Sequence, residues 1–233
     1  PEGLPTYHIQ MNLDTSKHTV EVHQKATWTN RSDSPVSKIV FVTHSNYIVP
    51  DSDIALMAKT LELLRLNPGD SLGAKTPCLE IKTVGILNKD GSVQKLKHQF
   101  TGPTKTTLEF DLDQPLAKGE KVTFDLEFRM RLPEKQGRWG HWKNVTFLTN
   151  WLPIFAYHKH DWHAETPKDT EQGWKPTPFV PWHQPFYNEA GIYDVTATLD
   201  SDQQIASTGV IVGEEKLPDG RKKVRLEAKG TRD

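Results

Sequence analysis

Cysteine is nearly absent. One residue in 233, Cys78, excludes an internal disulfide and a thiolate metal cluster. With no His or Asn close by in sequence to activate it, the Cys78 thiol reads as a small packing group. Long apolar runs are missing too: none approaches the ~18 residues of a membrane-crossing helix, so no membrane span is expected. Charge of one sign is lacking, since 29 basic residues face 30 acidic ones for a net charge of -1, without long blocks. That leaves no electrostatic footprint for nucleic acid or an anionic membrane. The start, Pro1-Glu2-Gly3-Leu4-Pro5, has neither an initiator methionine nor a signal peptide. At the other end, a strand-like stretch stops at Gly230-Thr231-Arg232-Asp233 with no closing element, so a fragment of a longer protein is expected.

What is present suits a folded globular chain: 35% hydrophobic and 25% charged residues, enough to bury one good core or two small ones. No internal repeat, low-complexity tract or composition shift marks a boundary. A single domain over residues 1–233 is therefore expected. Alternation dominates the pattern. Tyr7, Ile9, Met11 and Leu13 alternate with polar residues, the period of a half-buried strand. Thr19–Asn30 continues in the same way, and Ile39-Val40-Phe41-Val42 reads as a more deeply buried strand. Further strands are predicted over Leu79–Leu87, Thr106–Leu112, Lys121–Met130, Val145–Thr149, Ile192–Leu199, Gln203–Val212 and Lys222–Glu227. Turn signals such as Asn88-Lys89-Asp90-Gly91, Lys118-Gly119-Glu120 and Pro218-Asp219-Gly220 separate them. The fold class is all-β, an antiparallel sandwich of packed sheets. One short inserted helix is predicted over Ile54–Leu66, capped by Asp51-Ser52-Asp53, ended by Pro68-Gly69, and turning an apolar stripe to the core.

The most informative stretch runs from Phe147 to Gly209. Four of the seven tryptophans (Trp151, Trp162, Trp174 and Trp182) lie there among Pro153, Pro176, Pro178, Pro181 and Pro185. Rings supply apolar area and prolines lower the entropy lost on ordering, so this loop should be a fixed surface feature.

The order of features resembles the N-terminal β domain of the aminopeptidase N family of zinc metallopeptidases. Tyr7–Asp14 looks like that domain's first strand, and Val20-Glu21-Val22 with Ala26–Asn30 like its second. Thr149-Asn150-Trp151-Leu152-Pro153 stands where the family has a Thr-Gln-x-x-Pro-like segment or, in one bacterial branch, Trp-Tyr-Pro. His183-Gln184-Pro185-Phe186-Tyr187 stands where many members have Asp-Glu-Pro-x-Phe. Tyr193–Leu199 and Ala206-Ser207-Thr208-Gly209 match the strand pair that follows. The resemblance implies a saddle-like β domain packed on its own catalytic domain and walling a peptide substrate's cleft. It also implies that Asn150, in place of a longer Gln or Glu, helps hold the substrate's amino terminus; a turn-shaping role for Asn150 carries equal weight. The face meeting the catalytic domain is then the loop Trp151–Tyr187, with Trp151, Trp174, Trp182, Phe186 and Tyr187 at the interface. The family's His-Glu-x-x-His helix and Gly-x-Met-Glu-Asn loop occur nowhere here. No catalytic residue and no metal ligand is therefore assigned to this chain, which should be inactive alone, and zinc belongs to the parent enzyme's catalytic domain.

Rival constellations remain. His158, His160 and His163 with Asp161 could ligate a borderline metal, or form a solvated run. The tryptophans with Asn144 and Gln172 would suit a stand-alone module that binds carbohydrate or a protein partner. Glu165, Glu171 and Glu189 offer a weak case for a glycosidase pair. Asn144-Val145-Thr146 fits a glycosylation sequon.

Overall fold

The computed structural model describes residues 3–63, 65, 67, 76–135, 138–159, 173–177 and 188–232. From the N-terminus, β1 spans Thr6–Asp14, β2 Thr19–Thr29 and β3 Val36–Val42, followed by helix α1 at Asp51–Leu63. Then come β4 (Leu79–Leu87), β5 (Val93–Lys95), β6 (Phe100–Thr101), β7 (Thr107–Leu116) and β8 (Lys121–Arg131). Short strands follow: β9 (Gly140–Trp142), β10 (Val145–Phe147), β11 (Ile154–Phe155), β12 (Tyr157–Lys159) and β13 (Gly173–Lys175). The chain closes with β14 (Gly191–Asp200), β15 (Val210–Lys216) and β16 (Arg221–Thr231).

The main sheet has the order β15-β16-β14-β1-β2-β8-β4-β5, and a second sheet the order β11-β3-β7-β6. This is the expected all-β sandwich. One ladder departs from the antiparallel rule: β1 and β14 run parallel, with Tyr7 opposite Tyr193. Alternation made the central strands. Val20, Val22, Gln24, Ala26 and Trp28 of β2, and Val122, Phe124, Leu126, Phe128 and Met130 of β8, are all buried. Between the sheets the rings interlock, with Phe124 at 5.2 Å from Phe41 and 5.3 Å from Phe110, and Phe155 at 4.4 Å from Phe41. Burying such a side chain fully stabilises the fold by about 1.5–3 kcal/mol.

Three expectations need correction. Helix α1 exists, but none of its residues is buried, and Leu56 and Leu63 are 59% and 79% exposed. Its apolar spacing was sufficient for a helix, yet the space between the sheets is already filled by strand side chains. It also stops short of Leu66: Arg65 is left-handed (φ 59°), and its N–H donates to the Glu62 carbonyl. The strand predicted over Gln203–Val212 begins only at Val210 and runs on to Lys216. Its position is set by the hairpin to β16, whose turn at Gly220 (φ 83°) places Lys216 opposite Lys222. Residues 203–209 therefore fall outside the ladder. Val145–Thr149 likewise shortens to β10, which pairs only with β9.

Candidate functional site

The loop predicted to lie on the surface dives instead into the core at its start. Residues Trp151 to Ala156 are all buried. Buried backbone must be hydrogen-bonded, and here side chains of the surrounding elements do much of it. Gln24, the one polar residue on the inner face of β2, donates from Nε2 to the Pro153 carbonyl at 2.6 Å. Ser45 Oγ donates to the Trp151 carbonyl at 2.8 Å. The Phe155 N–H donates to Tyr7 Oη at 3.1 Å, and the Ala156 N–H to the Val40 carbonyl at 2.9 Å. Tyr7 in turn stacks on Tyr193, centroids 4.9 Å apart. The segment is thus pinned to β1, β2, β3 and the short 3₁₀ turn His44–Asn46.

Asn150 stands at the entrance of this segment. Its backbone is left-handed (φ 50°), a conformation that Asn tolerates better than most residues. The turn-shaping reading of Asn150 therefore has a physical basis. The side chain is engaged as well: Asn150 Oδ1 accepts a hydrogen bond from Asn188 Nδ2 at 2.6 Å. Asn188 is itself only 3% exposed. Its neighbour Glu189 is ion-paired with Arg31, which occupies that carboxylate. His44 joins the same cluster at 2% exposure. Burial, reinforced by the positive charge of Arg138, depresses the His44 pKa from 6.5 to about 4, and a hydrogen-bonding interaction with Asn188 offsets this in part. His44 is neutral at pH 7. A half-buried carboxamide, backed by a buried carboxamide and a neutral imidazole, can bind and orient a polar ligand.

Among the other sequence-predicted residues, Trp151 is 6% exposed and packs on Phe128 at 6.2 Å. Trp174 is half-buried, 4.9 Å from Trp28, and its Nε1–H donates to the Lys38 carbonyl at 2.6 Å. Trp182, Phe186 and Tyr187 lie outside the described residues, as do His160 and His163. His158 is buried between Trp28 and Trp174, at 5.4 and 4.8 Å. That is the environment of a core imidazole. Among the described residues no three His, Cys, Asp or Glu side chains stand together as a metal requires. Cys78 is buried, and burial pushes its thiol pKa up. Sequence reasoning missed His44 and Asn188. The available signal was the polar run Thr43-His44-Ser45-Asn46 directly after the apolar β3, which the chain buries whole.

No protein-family model matches the chain, and no curated protein does. Solved structures do. An M1 zinc metallopeptidase point mutant from Deinococcus radiodurans superposes with a TM-score of 0.55 at 11% identity, over 97% of this chain and 39% of its own. The same mutant bound to a Tyr-Ser-Ala substrate gives 0.54 at 12%, again over 97% of this chain and 39% of its own. The unmutated Deinococcus radiodurans enzyme gives 0.52 at 12%, over 97% of this chain and 38% of its own. The chain therefore has the fold of a part of M1 zinc metallopeptidases, and spans about 39% of the length of the structures it matches.

Proposed function

We propose that this chain is the non-catalytic N-terminal β domain, over residues 1–233, of a zinc aminopeptidase-like metallopeptidase. It packs on its own catalytic domain and walls one side of the peptide-binding cleft. The observation that carries the reading is the near-complete superposition of this chain on a minor part of metallopeptidase structures. The missing His-Glu-x-x-His agrees with it, because the chemistry then resides elsewhere in the parent. Among the described residues no three His, Cys, Asp or Glu side chains stand together, and in this reading zinc belongs to the parent's catalytic domain.

In this reading Asn150 faces the substrate's amino terminus, and the loop from Trp151 to Tyr187 meets the catalytic domain through the part beyond its buried start, Trp151–Ala156. The rings of Trp151 and Trp174 are engaged within this chain, on Phe128 and Trp28. Trp182, Phe186 and Tyr187 are the contacts proposed for it.

The test is hydrolysis of aminoacyl p-nitroanilides by the full gene product that carries this segment. We expect turnover by the full product and none by residues 1–233 alone. A full product that cleaves no amino-terminal residue refutes the reading and favours a stand-alone binding module.

A further inference from the structure

Resting on the reading of Asn150 as a cleft residue, we propose that Asn188 is its positioning residue, holding the Asn150 carboxamide oxygen in one fixed orientation. Asn150 is half-buried on a left-handed turn. A short polar side chain in that setting has several staggered rotamers open to it. The hydrogen bond that Asn188 Nδ2 donates to Asn150 Oδ1, at 2.6 Å, selects among them. The bond also fixes the polarity of the group. Exchanging the oxygen and nitrogen of Asn150 would set an NH₂ group against an NH₂ group and lose it.

The donor cannot drift. Asn188 is 3% exposed, and the next residue, Glu189, is tied to Arg31. Gly191, shortly beyond, has no room for a side chain. A Cβ there would lie 2.9 Å from Tyr7 Cε2 and 3.1 Å from Tyr193 Cε2. The chain is thereby clamped on the stacked tyrosines that also hold the Phe155 N–H. His44, 2% exposed, has a hydrogen-bonding interaction with Asn188.

A carbonyl oxygen accepts two hydrogen bonds, so the bond from Asn188 is compatible with a second from an ammonium group. The gain is pre-organisation: ordering Asn150 before the substrate arrives removes that cost from binding. The role thus belongs to substrate affinity and leaves the bond-breaking step alone.

Two variants of the full gene product test this, Asn188→Leu and Asn188→Asp, beside Asn150→Ala. Asp keeps the shape of Asn and cannot donate when ionised. Both Asn188 variants should raise KM for a free-amine peptide about five-fold, the worth of one hydrogen bond, with kcat nearly unchanged. Asn150→Ala should raise KM at least as much. If Asn150→Ala raises KM and neither Asn188 variant does, the positioning role is overturned and the cleft reading stands. If Asn150→Ala leaves KM unchanged, the cleft reading of Asn150 fails and the inference falls with it. A second readout is independent of activity. NMR couplings of Asn150 in residues 1–233 should report one χ1 rotamer, and averaged rotamers in Asn188→Asp. A single rotamer retained in that variant overturns the proposal.

Discussion

Acidification should destabilise this chain through His44. His44 is buried and uncharged, with a pKa of about 4 against 6.5 for a free imidazole. Between those values the unfolded chain binds a proton that the native state refuses. Stability therefore rises with pH across that window. The His44 contribution is fully present above pH 6.5, drains away as pH falls towards 4, and stays constant below. At about 1.4 kcal/mol for each tenfold in proton affinity, the whole loss is about 3 kcal/mol. Roughly half of it is lost by pH 5.5 and most of it by pH 4.5. Urea midpoints measured at pH 7.5, 5.5 and 4.5 for the wild type and His44→Gln isolate the effect. Carboxylates whose pKa lies low through ion pairs, such as Glu21 and Asp194, add acid sensitivity of their own, but they do so equally in both proteins. The wild type should lose about 2–3 kcal/mol more than His44→Gln between pH 7.5 and 4.5. Parallel losses in the two proteins would refute a buried neutral His44.

Three further substitutions probe the packing. Phe124→Ala removes a fully buried ring that touches Phe41 and Phe110, so its urea midpoint should fall by the equivalent of about 3–5 kcal/mol. A cost under 1 kcal/mol would mean that the two sheets do not meet at this ring. Gly191→Ala drives a methyl group into Tyr7 and Tyr193 and should cost about 1–3 kcal/mol in thermal unfolding; an unchanged or raised Tm would contradict the close approach. Gln24→Leu withdraws the donor from the Pro153 carbonyl and should cost about 1–3 kcal/mol, with faster hydrogen exchange at Phe155 and Ala156. Unchanged exchange there would show that Gln24 does not hold the segment.

Much of the fold was legible because strands with one buried face write their alternation into the sequence. Val20 to Trp28 and Val122 to Met130 are the clearest cases, and the structure buries those positions. Elements fixed by pairing were less legible. Where β15 begins is set by its hairpin partner, and its apolar residues Val210, Ile211 and Val212 are exposed. The apolar spacing of α1 marks a helix but says nothing of whether a partner surface is free. At the candidate site, Asn150 was found through resemblance. His44 and Asn188 escaped because a polar run such as Thr43-His44-Ser45-Asn46 does not by itself show that it is buried. Their neighbours in space come from residues 106 and 38 positions away in sequence, as Ser45 with Trp151 and Asn188 with Asn150 show. The segment Trp151–Ala156 was read as surface because its prolines and rings suit an ordered loop, whereas its backbone is satisfied by Gln24, Ser45 and Tyr7.

The central claim is that these strands serve a metal-bearing neighbour, and metal analysis of purified protein tests it most directly. The full gene product should carry about one zinc ion per chain, with residues 1–233 alone carrying none. A full product that purifies free of zinc and does not take it up on addition, or a stoichiometric zinc ion bound by residues 1–233, would contradict the account.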